Sequence, residues 1–307
     1  MLPWLRSEKQ GTLLVLISAA GFATLAILAM MAYRAGIPPL VALNWRFLLA
    51  ALLMAGYVRA NRLPWRVPRR EAAVLLLLGG LGYAAMSALF FAALQFIAAS
   101  ATSLLLYTYP AFVSLFSFVL WRTPLGRRHF WALSATGAGT FLLLWSPGLQ
   151  LNPTGTLLGL GAAVVYSFYL LANQHLVHGV EAGIASGYII VGAAVTFTAL
   201  TTATGAFTAV FSPLGWLALG LMAFCSTALP IVTLLAGIRR LGAARASILS
   251  TFEPVLTVLL ALLLLGERLS PWQAAGGAFI AGGMLLLHLP APLRRPGVEP
   301  PAAASGS

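Results

Sequence analysis

The chain has 307 residues, of which 60% are hydrophobic and only 8% charged. A soluble domain carries roughly 25% charged residues, so an ordinary water-soluble globular fold is excluded. Eighteen Lys and Arg stand against six Asp and Glu for a net charge of +12, but the cations sit in short gaps between apolar runs. That is the pattern of cytoplasmic loops, so nucleic acid is not expected as a partner.

A helix that crosses a bilayer needs about 20 apolar residues. Read in chain order, ten such runs occur, at about 11–33, 40–58, 72–96, 101–121, 128–146, 155–174, 183–204, 214–237, 243–265 and 271–289. The expected fold is an all-α membrane protein of ten transmembrane helices. Arg6 and Lys9 precede the first run in the manner of a signal peptide. The run is too long for a typical signal core and more spans follow, so it is kept in the mature protein. Residues 1–10 then form a cytoplasmic N-terminus, and the Pro- and Ala-rich residues 290–307 a disordered cytoplasmic tail.

With the N-terminus inside, fifteen cations fall on the cytoplasmic side: Arg6, Lys9, Arg59, Arg62, Arg66, Arg69, Arg70, Arg122, Arg127, Arg128, Arg239, Arg240, Arg245, Arg294 and Arg295. Only Arg34 and Arg268 fall outside, and Arg46 lies within a span. This asymmetry places both termini in the cytoplasm of a multi-pass inner-membrane protein. Trp4 and Trp65 are expected as interfacial anchors, and the Arg59–Arg70 loop against anionic lipid headgroups. The lipid bilayer is thus the chain's constant partner. No signal for an oligomeric state is present.

An internal repeat runs through the chain at an offset of 144. Pro110 maps on Pro254, Ser103 on Ser247, Leu125 on Leu269 and Gly139 on Gly283. Gly11-Thr12-Leu13-Leu14 maps on Gly155-Thr156-Leu157-Leu158 without a gap. Residues 11–150 and 151–289 become two five-helix repeats. Five is odd, so the second repeat enters the membrane from the opposite side, giving an inverted repeat that allows one shape open to each face.

Proline breaks Pro110 and Pro254 stand at corresponding positions of the two halves, which points to a binding site between them. Each proline withholds a donor from the helix and frees nearby carbonyls to face a cavity. Glu253 and Arg46 are the only charges well inside spans. Counted at about 1.5 Å per residue, their depths differ by only a few ångströms. Two readings follow. Either they form a structural pair or hydrogen-bonded cluster that holds helices together, or one of them is a site charge, Arg46 for a substrate carboxylate or Glu253 for an ammonium group or a coupling proton.

Polar aromatic residues extend the candidate site. Tyr107 and Tyr109 flank the first break, Tyr83 and Ser87 share a face of the third run, and Phe22 maps on Tyr166. Thr227 and Thr251 are the repeat mates of Tyr83 and Tyr107. Such a set suits a mostly apolar cavity for a small organic solute. Gly137, Gly139, Gly276, Gly277, Gly282 and Gly283 are read as close-packing positions. His175 and His178 have metal-ligand spacing but no third ligand, and Cys225 is the only cysteine, so neither a metal nor any other cofactor is expected.

The ten runs, the two proline breaks, Asn44-Trp45-Arg46-Phe47 and the ending Glu253-Pro254…Leu265-Gly266-Glu267-Arg268-Leu269 together resemble the EamA-type branch of the drug/metabolite transporter superfamily. The likeness covers about residues 11–289. It implies a secondary carrier of small organic metabolites such as amino acids, moving outward by alternating access. The first repeat departs from the pattern, with Arg122-Thr123-Pro124-Leu125 where the second has Gly266-Glu267-Arg268-Leu269. A membrane-embedded enzyme centred on Glu253, or a non-transporting sensor or scaffold, is the alternative. The chain has no Asp and no HExxH, GxSxG, P-loop or GxGxxG motif, which argues against an enzyme.

Overall fold

The computed structural model describes residues 3–122, 126–145, 152–177, 179–241, 246 and 249–288. Among them there is no strand. Seven helical stretches are long and apolar enough to cross a membrane: Glu8–Arg34, Pro39–Ala60, Arg69–Ala93, Ala99–Leu120, Pro153–Leu176, Ala182–Ala203 and Pro213–Leu241. The other three expected runs coincide with helices Arg127–Leu144, Phe252–Leu265 and Pro271–His288, which are shorter or interrupted by glycines and polar residues. Seven crossings therefore stand on length and composition. Trp4, Arg6, Thr123, Pro124, Leu125, Arg128, His178, Arg245, Ser247 and all of 290–307 lie outside the described residues or side chains.

Packing repeats at the same offset as the sequence. A Cβ on Gly11 would lie 2.8 Å from Leu241, and one on its mate Gly155 would lie 2.8 Å from Ile97, which is the mate of Leu241. Helices Arg127–Leu144 and Pro271–His288, one from each repeat, press together through glycines. A Cβ on Gly139 would lie 2.6 Å from the Gly276 carbonyl, and one on Gly283 would lie 2.8 Å from that of Ala132. Only the absence of side chains allows such an approach. Gly137 and Gly282, expected in the same role, have no neighbour within 4 Å.

Four differences from the sequence reading have local causes. The first helix begins at Pro3 and so runs continuously through residue 11. It breaks at Thr24, whose hydroxyl binds back to the Gly21 carbonyl at 2.7 Å and reaches Ser226 at 2.7 Å. The third and eighth spans each contain a π-helical segment, Leu78–Tyr83 and Phe224–Ala228, which overlap under the repeat. Gly79 lies against the Ile189 carbonyl in the first, and Pro230, unable to donate to Ser226, follows the second. Trp65 is pinned to the start of helix Ala182–Ala203, its ring stacked on Tyr188 at 5.0 Å.

The proline breaks are sharp. One helix ends at Leu106, and the next begins at Tyr109 with Pro110 in its first turn. In the second repeat a turn at Thr251 precedes helix Phe252–Leu265, with Pro254 in its first turn. A proline cannot donate to the carbonyl four residues back. Those carbonyls belong to Leu106 and Ser250, and both residues line the cavity between the repeats.

Candidate functional site

That cavity has a volume of about 490 Å³. Eight of the ten residues expected to line a site are on its wall: Phe22, Arg46, Tyr83, Ser87, Tyr107, Tyr109, Tyr166 and Glu253. The two threonines are elsewhere. Thr227 sits behind Arg46, and Thr251 occupies the turn before helix Phe252–Leu265.

Arg46 projects from helix Pro39–Ala60 and is 1% exposed. Its Nε donates to the Thr227 hydroxyl at 3.1 Å, and that hydroxyl donates to the Met222 carbonyl, five residues back, at 3.1 Å. The five-residue reach is the hydrogen-bond register of the π segment itself. The guanidinium carbon lies 4.7 Å from the Phe47 ring centre and 5.7 Å from that of Phe91. Tyr83, in the other π segment, lies against the same guanidinium. Tyr83 and Thr227 are repeat mates, so each repeat brings one hydroxyl to a single cation.

Glu253 stands in the first turn of helix Phe252–Leu265, with the Tyr107 hydroxyl within hydrogen-bonding reach of its carboxylate and Tyr109 and Tyr166 nearby. Among the described residues the one ion pair joins Arg239 to Glu181. Arg46 and Glu253 therefore do not pair with each other, and each is instead held in its own hydrogen-bonded cluster between helices. A wall of tyrosines separates them instead. Tyr83 meets Tyr169 at 5.6 Å, Tyr169 stacks on Tyr166 at 5.8 Å, and Tyr166 meets Tyr109 edge-on at 4.8 Å.

Ser87, one turn from Tyr83, has a buried hydroxyl without a hydrogen-bond partner. Tyr169, Ser186 and Ser250 also line the cavity and were not singled out from sequence. Spacing could have found two of them, since Tyr169 lies three residues after Tyr166 and Ser250 four before Pro254.

The cavity extends toward the end of the bundle that carries the arginine-rich loops. Ser186 lies near the start of helix Ala182–Ala203, and Ile238 near the close of helix Leu229–Leu241. No lining residue comes from the first turn of helix Pro39–Ala60 or from the last three turns of helix Phe252–Leu265. Aromatic rings cluster at the opposite end of helix Pro39–Ala60. Trp45 donates from Nε1 to the Thr208 carbonyl at 2.7 Å and meets Trp216 at 4.9 Å and Phe207 at 5.8 Å.

Two helical repeats spanning a membrane around one cavity with a guanidinium and a carboxylate on its wall define a multi-pass transporter of small molecules. Comparison with known proteins gives the particular family. The model of the EamA-like transporter family matches residues 9–145 and again 153–289. The chain belongs to that family, as its resemblance to the EamA-type branch implied. It is 33% identical over 283 residues to a protein named uncharacterized transporter YcbK of Bacillus subtilis (strain 168), covering 89% of this chain and 90% of that one. It is 32% identical over 258 residues to the threonine/homoserine exporter RhtA of Escherichia coli (strain K12), covering 81% of each. A crystal structure at 22% identity superposes with a TM-score of 0.67 over 91% of this chain and 98% of the other, which shows a shared fold.

Proposed function

We propose that the chain is a secondary exporter of small zwitterionic metabolites of the amino-acid type. One observation carries this reading: a single cavity presents a buried guanidinium and a half-buried carboxylate that leave each other unpaired. A buried charge without a counter-ion is costly, and a ligand of opposite charge relieves that cost. Arg46 takes the substrate carboxylate, with the free Ser87 hydroxyl beside it, and Glu253 takes the ammonium group. The tyrosine wall holds the apolar part of the cargo. The volume lies within the range of about 300–1,000 Å³ usual for small-molecule sites. The similarity to a threonine/homoserine exporter supports both the cargo class and the outward direction.

In this reading the chain crosses the inner membrane ten times as two inverted five-helix repeats, 11–150 and 151–289, with both termini in the cytoplasm. The arginine-rich end faces the cytoplasm, so the cavity is in its inward-open shape, ready to load an export substrate. Transport is carriage by alternating access and makes or breaks no covalent bond.

Counterflow in proteoliposomes tests the proposal. Vesicles loaded with unlabelled threonine or homoserine are expected to accumulate the labelled solute, and vesicles with empty lipid are not. Absence of exchange across a full amino-acid panel, from protein that is monodisperse in detergent, would overturn it.

A further inference from the structure

The Gly266-Glu267-Arg268-Leu269 element has no part in the cavity, yet its carboxylate is fully engaged. One Glu267 oxygen accepts from the Ala99 amide at 2.7 Å. The other accepts from the Ser100 amide at 3.1 Å and the Ser100 hydroxyl at 2.5 Å. Glu267 belongs to the second repeat and caps a helix of the first. Gly266, at φ +69°, turns the chain back so that the carboxylate can reach. The free amides and the helix dipole at that N-terminus both favour a negative charge.

The capped helix is Ala99–Leu106, which ends at Tyr107, and Tyr107 reaches Glu253. Glu253 opens the helix that closes at Leu265, just before Gly266 and Glu267. Two half-helices, one per repeat, are thus fastened at both ends by carboxylates of the same chain segment. Glu253 fastens the end at the cavity and Glu267 the end away from it. These half-helices lie over the closed end of the cavity, which is the outer end in the orientation proposed above.

We propose that Glu267 is the outer-gate residue of this transporter. The two carboxylates hold the half-helices together, and a substrate ammonium that engages Glu253 draws it from Tyr107 and leaves the gate on Glu267 alone. The second step rests on the proposed function; the first does not. Sequence adds an asymmetry. Thr123 occupies the repeat position of Glu267, and Ala244 that of Ser100, so the sequence does not repeat this carboxylate and hydroxyl in the other half. A latch on the outer end alone biases the resting protein toward the cytoplasm, where an exporter collects its cargo.

The test uses the full chain in cells, in a Cys225→Ala background with Phe90→Cys on the cavity wall as reporter. A charged, membrane-impermeant methanethiosulfonate is added from outside. Labelling is expected to be slow in this background and roughly tenfold faster with Glu267→Gln, which loses the charge-assisted bonds. Ser100→Ala, which removes one contact of three, is expected to give a rise of about twofold to threefold. Unchanged labelling in Glu267→Gln at equal membrane level overturns the gate. If that variant fails to insert, unchanged labelling in Ser100→Ala does so. Threonine is expected to speed labelling in the background and to lose that effect in Glu253→Gln. If threonine neither moves nor alters labelling while Glu267→Gln still opens the outer end, the cargo reading falls and the gate stands. If threonine moves and both gate variants label like the background, the gate falls alone.

Discussion

The two charges of the cavity are mounted differently. Arg46 emerges from the middle of an unbroken helix, is held by Thr227 and Tyr83 from the two π segments, and has aromatic rings beside it. Glu253 stands at the first turn after a break, on a helix that starts afresh at Phe252, and the hydroxyl within hydrogen-bonding reach of it, that of Tyr107, comes from the other repeat. The guanidinium is mounted on a continuous helix and held by a hydroxyl from each repeat. The carboxylate is mounted directly after a helix break, where the backbone can hinge, so a change at the break shifts it more than Arg46. A carrier that keeps one end of its cargo anchored while testing the other needs this division.

The largest break in the comparison is at Arg46. Arg46→Lys keeps a positive charge, but a point-like ammonium cannot hold Thr227 and present a fork to a carboxylate together. Threonine counterflow is expected to fall about 100-fold, as for a charge contact in a desolvated site. A loss below about threefold would mean that the cation is not the anchor. Glu253→Gln comes next. The amide oxygen still accepts from Tyr107, so membrane levels and melting temperature are expected to match the parent, while counterflow of zwitterions falls about tenfold. A carboxylate lacking an ammonium group is expected to compete equally well in both. Full flux in Glu253→Gln would remove the carboxylate from the site. Thr227→Val follows, with a loss of about fivefold that Thr227→Ser restores, because only the hydroxyl bond to Arg46 Nε differs.

Much of this arrangement was legible before any coordinates. Composition and cation placement gave a membrane protein, and the 144-residue offset gave two repeats, because prolines and glycines mark backbone geometry that survives when side chains drift. Glu253 and Arg46 were visible as buried charges for the same reason that they are costly. Their failure to pair was not visible, since depth along a span says nothing about which way a helix is turned. The π segments were equally hidden. A single extra residue per turn leaves hydropathy unchanged, and only the Gly79-Gly80-Leu81-Gly82 cluster and Pro230 hinted at them. That one-residue shift is what brings Tyr83 and Thr227 to the same guanidinium. Glu267 belongs to a visible motif, but its partners at Ala99 and Ser100 lie 168 and 167 residues away and carry no sequence signal of the contact.

The smallest expected effect concerns the wall between the charges. Tyr166 touches Tyr109 and Tyr169 through its ring, and ring contacts survive removal of the hydroxyl. Tyr166→Phe is therefore expected to leave threonine counterflow within about twofold of the parent, since aromatic packing depends on ring geometry. The comparison requires this result. If recognition resides in the anchored cation and the mobile carboxylate, the tyrosines between them supply shape and exclude water. A fall of tenfold or more, with normal membrane levels, would instead make the Tyr166 hydroxyl a third polar contact to the cargo. The wall would then share in selecting the substrate, and the cavity would read its cargo along its length and not only at its two ends.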